Sequence, residues 1–447
     1  MTLLQERSDR WLAAYVGVMV VMILAGGSIL GLAPQMSILG RLPIVHKAGV
    51  VSMALGVALA LALVVWWAVR HRLNKGLKYA MTHARLLSQV RRALLDAGST
   101  YGIERYSGQE KVIVLPKISI ELANDLRTGT IRIRNHLCIQ KKLEAVDLSS
   151  ALGRYSVEEV YTMNDGNATV YEIEDVSVDH RITFHSAEEL VQCAREHGDY
   201  MLTLDDRTTV PLSSMLLVGQ TGSGKSYGTY SMIFQALGWE NKARVYIADP
   251  KNSSLVVLGD EIDLRYSAGT MDRIIQLLKI FSRVMNKRQE ELKEKLHGKL
   301  DADYRDFGLQ PQIFIIDEFA SFVSVLNTMD KPTRDEVNSI LRSIVLMGRQ
   351  LGCFLWVLMQ KSDSTDIPTA IRNNLPLKIC LGQAENTTLM TIFERAADLP
   401  KRKFGPGQGL YFCSGLTREP QAISLPTLDF DILAGVRSLC SNGTPVM

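Results

Sequence analysis

Gly219-Gln220-Thr221-Gly222-Ser223-Gly224-Lys225-Ser226 carries the spacing GxxxxGK[ST] in full. Glycines at those positions let successive backbone N–H groups curl around phosphate oxygens, the lysine reaches the terminal phosphates, and the hydroxyl can join the shell of a magnesium ion. Lys225 and Ser226 are the residues for the last two tasks, and Tyr227 follows them at the edge of the nucleotide site. Further on, the apolar run Ile313 to Ile316 ends in Asp317-Glu318. There Asp317 can hold Mg2+, and Glu318 can orient or activate an attacking water. Together these residue types could carry phosphoryl transfer from Mg-ATP to water.

Chemistry of this kind needs its groups presented at one edge of a sheet. The apolar stretch Met215 to Val218 predicts a strand leading into the glycine-rich loop, and a helix runs on to Leu237 with Gly238 placed as its C-cap. Val245 to Ala248 leads into Asp249-Pro250-Lys251, and Cys353 to Met359 leads into Gln360. In an open parallel sheet, ligands bind beyond the carboxyl ends of the strands, where all these polar groups fall. Asp249 can equally be a turn residue, and Gln360 a surface amide. Thr333 and Glu336 form a capping-box pattern before Val337, Ile340, Leu341 and Ile344, so a helix with one apolar face should run to about Gly348.

The P-loop, the Asp-Pro-Lys segment at 249–251, the Ile-Ile-Asp-Glu run and Gly348-Arg349-Gln350-Leu351-Gly352 resemble the FtsK/SpoIIIE-type motors. The resemblance covers roughly residues 200 to 425. It implies a RecA-like α/β core with a mostly parallel sheet, assembled as a hexameric homo-oligomer around DNA. It also implies that Arg349 acts across the subunit interface and that Gln360 senses the γ-phosphate. In layout the chain is most similar to the TcpA-like coupling proteins of Gram-positive conjugative elements. That likeness implies a DNA translocase for conjugation, partnered by a relaxase or DNA-processing complex and by conjugation-channel proteins. A type VII-like protein-secretion ATPase and a chromosome-segregation translocase are the alternatives. The former carry several motor domains where this sequence has one P-loop, and the latter carry a DNA-reading domain for which few residues remain after the last motor-like strand.

Composition sets the outer bounds. Of 447 residues, 47% are hydrophobic and 22% charged, which fits two or three globular domains. A net charge of +3 is too small for a global field, so DNA would have to meet local basic surfaces such as Lys251, Lys331 and Arg334. Six cysteines without a CxxC pair, Cys138 among them, fit a reducing compartment, and eight histidines form no metal-ligand pattern.

No charge occurs from Trp11 to Gly40 or from Ala48 to Val69, which predicts two N-terminal transmembrane helices at about 12–33 and 48–69. Ala54, Ala58 and Ala62 could form a small-residue ridge between them. Seven basic residues from Arg70 to Arg92 outweigh Arg41 and Lys47, so the chain after residue 70 should be cytoplasmic, below a multi-pass anchor in the cell membrane. The predicted division is a membrane anchor at 1–74, a small α/β adaptor at 75–205 and the motor at 206–447. Within the adaptor, Ala80, Ala84, Leu87, Val90 and Leu94 mark a basic amphipathic helix over 76–98. Val157 to Met163 and Thr169 to Val176 flank the hairpin signal Asn164-Asp165-Gly166-Asn167, and Ser186 with Glu189 opens a helix toward His197.

Overall fold

A computed structural model describes residues 3–32, 43–97, 101–103, 112–135, 148, 151–295, 301–361, 367–394, 399 and 402–441. Arg41, Cys138 and the side chain of Trp11 lie outside the described residues. The chain divides into two compact units, Met1–Ser177 and Val178–Met447.

The first unit opens with α1 (Leu3–Leu32) and α2 (Pro43–Arg70), which pack against each other. Their backbones approach closely because the meeting points are glycines. A Cβ on Gly26 would lie 2.8 Å from the Gly49 carbonyl oxygen, and one on Gly56 would lie 2.6 Å from Ile23. Ser52 Oγ donates to the Met22 carbonyl at 2.9 Å across the same seam. Ala54, Ala58 and Ala62 are exposed on another face of α2, so the alanine ridge expected from spacing is not the packing ridge. Alanine spacing alone cannot tell which face meets a partner, whereas glycine permits the shortest interaxial distance. Among the described residues, one segment, Lys47–Arg70, is long and apolar enough to cross a membrane; the apolar stretch of α1, Tyr15–Leu30, is shorter.

Helix α3 (Leu77–Asp96) lays Tyr79, Leu86, Leu87, Val90 and Leu94 over a four-stranded antiparallel sheet. Its strands are β1 (Ile118–Leu122), β2 (Thr128–Arg134), β3 (Tyr155–Thr162) and β4 (Ala168–Asp175), in the order β1-β2-β4-β3. The alternation in β2 buries Ile131 and Ile133 and exposes Arg132 and Arg134. Strands β3 and β4 form the expected hairpin, with Gly166 at φ 67° in the turn.

The second unit is built on an eight-stranded sheet. Its strands are β5 (Met215–Gly219), β6 (Arg244–Ala248), β7 (Ser267–Ala268), β8 (Gln312–Ile316), β9 (Cys353–Met359), β10 (Leu377–Leu381), β11 (Gln408–Cys413) and β12 (Gln421–Ser424). The order is β7-β6-β8-β9-β5-β10-β11-β12, parallel through β10 and antiparallel for the last two strands. Successive residues feed opposite cores: Met215, Leu217, Ile313 and Ile315 on one face, Leu216, Val218, Phe314 and Ile316 on the other. The near-continuous apolar strands follow from this two-sided burial.

Helix α4 (Ala187–His197), expected from sequence in the adaptor, packs into the core of the second unit through Ala187, Leu190 and Ala194. Composition did not change at this point, so the sequence held no boundary signal. Helix α4 also explains Gly238, the last residue of α5 (Lys225–Gly238). The Trp239 that follows is extended, and Arg195 Nε donates to the Gly238 carbonyl at 3.0 Å. A Cβ on Gly238 would lie 2.7 Å from Val191, so this glycine serves close helix packing and not a left-handed cap.

Helix α6 (Ser254–Asp263), α7 (Met271–Lys295), α8 (Phe319–Asn327) and α9 (Lys331–Leu351) complete the layers used below. Helix α9 starts earlier than the Thr333–Glu336 pattern indicated: Asp330 is its N-cap, accepting from Thr333 N, while Glu336 pairs with Lys279 at 2.8 Å. Its end is held by Gly352 in the left-handed region (φ 68°) and by Arg288, which donates to the Leu351 carbonyl at 2.9 Å and the Gln310 carbonyl at 2.6 Å. Gly348 is buried where a Cβ would overlap the Cys353 carbonyl oxygen, so helix end and strand start are in backbone contact. Gly348→Ala is therefore expected to destabilise the second unit by about 1–3 kcal/mol. Denaturant titration of the purified chain would show this as a lowered midpoint with the slope unchanged.

Candidate nucleotide-binding site

Strand β5 is interior to the sheet, between β9 and β10, and the residues that follow it turn directly into α5. Gly222 and Gly224 hold φ of 84° and 91°, which a side-chain-bearing residue adopts at a cost. Gly219 is required for a different reason, since a Cβ there would overlap Ser223 Oγ. Gln220, Thr221, Ser226 and Tyr227 are exposed along the loop and the first turn, while α5 from Gly228 onward is buried. A fourteen-residue helix thus presents its N-terminus and free N–H groups at the sheet edge, where anions are stabilised.

Lys225 Nζ lies 3.3 Å from Asp317 Oδ1, which joins the loop to the end of β8 across intervening β9. The same Asp317 oxygen accepts from Glu318 N at 3.0 Å, and Asp317 N donates to the Ala248 carbonyl at 2.8 Å. Glu318 stands in the left-handed region (φ 49°) as the N-cap residue of α8, nearly buried. Non-glycine residues there are uncommon, and such strain concentrates at working sites. Its Oε2 sits 3.4 Å from Lys251 Nζ, an ion pair without an aligned hydrogen bond.

Asp249 is fully buried, and both its oxygens are occupied locally. Oδ1 accepts from Lys251 N at 2.9 Å, and Oδ2 accepts from Ser253 N at 2.7 Å and Ser253 Oγ at 2.5 Å. In this arrangement Asp249 organises the turn that aims Lys251 at Glu318. Lys251, one of the basic residues considered for DNA contact, pairs with Glu318 here.

A second glycine run, Gly405-Pro406-Gly407-Gln408-Gly409, also belongs to the site. Gly407 N donates to the Ser223 carbonyl at 2.7 Å, and a Cβ on Gly224 would lie 2.6 Å from Gly407 N. Gly382 N donates to the Gln408 carbonyl at 2.8 Å, bringing the end of β10 to the same place. Three glycines in five residues beside a strand were the available signal. Nearby Cys380 is buried, which pushes its thiol up to about 12 and leaves it inert as a nucleophile.

Gln360 follows β9 at the carboxyl edge and is exposed, one residue beyond the pairing of Met359 with Val218. Arg349 is exposed in the last turn of α9, before β9 begins, and so lies at the opposite edge. A seven-residue strand separates the two, about 20 Å. The Arg349 side chain makes no hydrogen bond or ion pair among the described residues; its own carbonyl accepts from Gly352 N, and Arg288 serves that of Leu351. Lys225, Asp317, Glu318 and Gln360 thus share the carboxyl edge, and Arg349 stands apart. The glycine cradle, the helix N-terminus and the paired Lys225 and Asp317 fit a magnesium-bound triphosphate, with Ser226 and Asp317 as the ligand candidates.

A mostly parallel sheet carrying this loop and these carboxylates defines a P-loop nucleotide-binding domain. No family model matches the chain. Over 176 residues it is 31% identical to the Ftsk domain-containing protein YdcQ of Bacillus subtilis (strain 168), covering 39% of this chain and 35% of that protein. Over 230 residues it is 27% identical to the DNA translocase FtsK of Staphylococcus aureus (strain Mu50 / ATCC 700699), covering 47% of this chain and 28% of that protein. The chain therefore matches about a third of the length of these curated relatives. Among solved structures, the pCW3 conjugation coupling protein TcpA, in monomer form with ATPgS, aligns at a TM-score of 0.46 and 18% identity over 79% of this chain and 98% of that one. The cytoplasmic domain of the Thermomonospora curvata type VII secretion ATPase EccC aligns at 0.42 and 17% over 53% and 30%. In sequence the motor unit resembles the FtsK/SpoIIIE-type translocases.

Asp249→Ala removes the acceptor for two part-buried N–H groups and the Ser253 hydroxyl and should cost about 1–3 kcal/mol of stability. Chemical denaturation should report that loss, whereas Lys251→Ala, changing a half-exposed side chain, should leave the midpoint within about 1 kcal/mol of the parent.

Proposed function

We propose that this chain is a membrane-anchored Mg-ATP hydrolase that moves DNA, acting as the coupling ATPase of a conjugative element. The observation that carries the ATPase reading is the convergence of Lys225, Asp317 and Glu318 at the carboxyl edge, beside a glycine loop opening a buried helix. DNA as cargo and transfer between cells as the setting rest on the likeness to FtsK-domain translocases and on the compact layout of apolar hairpin, adaptor and single motor.

In this reading α1 and α2 form a two-helix anchor in the cell membrane, and the basic residues that follow α2 keep both larger domains in the cytoplasm. Bound magnesium would neutralise phosphate charge, with Ser226 and Asp317 as its ligands. Lys225 exchanges its contact with Asp317 for phosphate oxygens, the loop amides hold the remaining oxygens, and Glu318 takes the proton of the attacking water. Gln360, level with Gly219, reads the terminal phosphate. Arg349, about 20 Å away at the far edge, completes the site of a neighbouring copy in a ring, a hexamer on the family pattern. A relaxase or DNA-processing complex and the channel proteins are the partners this role requires.

Lys225→Ala and Glu318→Gln should both abolish DNA-stimulated hydrolysis, yet only the glutamine variant should retain ATP binding. Wild-type turnover in Glu318→Gln would remove that residue from the mechanism, and stimulation by a secreted polypeptide instead of DNA would replace the cargo. Arginine supplied in trans contributes about 10³ to 10⁵ in rate. Mixing Arg349→Ala subunits with Lys225→Ala subunits should therefore recover activity that neither has alone. A mixture that co-assembles and stays inactive rules the trans role out. DNA affinity, carried by phosphate contacts, should fall steeply with salt and vary little with sequence, as salt-controlled competition binding would show.

A further inference from the structure

The first residues of the second unit cross to the phosphate loop. The segment 178–184 is pinned to Thr427 and Asp429, which donate to the Ile182 and Phe184 carbonyls at 2.9 and 2.8 Å. From it Arg181 reaches the second glycine loop. Its Nη2 donates to the Pro406 carbonyl at 2.5 Å, and a Cβ on Gly407 would lie 3.4 Å from its Cζ. Asp179 orients the arginine, accepting from Arg181 N at 3.1 Å with its other oxygen 3.8 Å from Arg181 Nε. Gln408 braces the loop from within, its Oε1 accepting from Gly405 N at 3.0 Å.

The consequence lies one peptide further on. Gly407 N donates to the Ser223 carbonyl at 2.7 Å. The peptide joining Ser223 to Gly224 is planar and trans, so its C=O and N–H point in opposite directions. Holding that carbonyl toward Gly407 turns the Gly224 N–H the other way, toward the space inside the phosphate loop. The contact can be this short because Gly224 carries no Cβ, and Gly407 (φ 78°) occupies the left-handed region.

We infer that Arg181 is a positioning residue for nucleotide binding: through Pro406 and Gly407 it fixes the peptide plane that aims the Gly224 N–H at a bound phosphate. It touches no reacting atom. The inference rests on the proposed ATPase site, and it assigns a task in that site to a residue near the start of the second unit.

The test uses the full-length chain in detergent, with Mg-ATPγS for binding and Mg-ATP for turnover. Arg181→Ala should weaken ATPγS binding and raise KM about ten-fold, the effect of losing one hydrogen bond from a charged donor. At saturating ATP, kcat should stay within about two-fold, since the groups at Asp317 and Glu318 are untouched. Arg181→Lys keeps a charged donor and should recover most of the affinity. In a double-mutant cycle, Arg181→Ala should add little to Gly407→Ala, because both act through one loop. Unchanged affinity in Arg181→Ala, a fall in kcat alone, or full additivity with Gly407→Ala would overturn the inference. Should Arg181→Ala not fold, the lysine variant and the Gly407→Ala comparison with wild type carry the same decision. Wild-type chain that binds ATPγS without hydrolysing ATP would sink the ATPase reading, while the affinity ratio would still decide the role of Arg181.

Discussion

A sheet buried on both faces has only its ends available for charge, and most of what the second unit can do follows from that constraint. Every residue of β5, β8 and β9 is buried, so a carboxylate or ammonium within them would need a buried partner. The polar residues therefore accumulate where the strands stop. Parallel pairing then puts all the stops of β5, β6, β8 and β9 along one edge. Lys225, Asp249, Asp317, Glu318 and Gln360 meet because their strands run the same way. Arg349 is excluded from that group by the same logic, since it precedes a strand.

Within that edge, precision comes from glycines whose missing side chains are occupied by backbone. The phosphate loop is gripped from behind by the 405–409 loop, and the end of α9 is seated on the start of β9 at Gly348. Neither contact adds much energy by itself. Both convert the position of one backbone segment into that of another, which is how a site built on loops acquires the rigidity of the sheet below it. Lys251 reaches Glu318 on the same principle, because the buried Asp249 carboxylate fixes the turn between them.

Legibility in the sequence tracks how local each determinant is. The P-loop, the acidic pair and the β3–β4 hairpin are written in consecutive residues, and the structure places them on the elements their spacing indicates. Helix α4 and its Ser186 cap are legible in consecutive residues, yet its place in the second unit depends on Val191 meeting Gly238, residues far apart in sequence. Gly238 itself was misread because a glycine at a helix end has two explanations, a left-handed cap or a close neighbour, and only the neighbour's position decides. The same ambiguity hides the 405–409 loop, where Gly407 makes sense only against Ser223 and Gly224, and Gly409 only against the Cys380 carbonyl. Asp249 was visible as a residue at a strand end, but its commitment to Ser253 and Lys251 became apparent only with the turn in view.

The N-terminal hairpin offers a genetic consequence. Gly26, Gly49 and Gly56 line a seam where an added methyl group would already meet backbone or a branched side chain. A single base change in a glycine codon, unless silent, yields a larger or charged residue, or a stop. These three codons therefore have almost no neutral neighbours, while the exposed alanines on another face of α2 can drift among apolar residues. Across a collection of natural variants, this hairpin should show three fixed points in an otherwise fluid hydrophobic sequence.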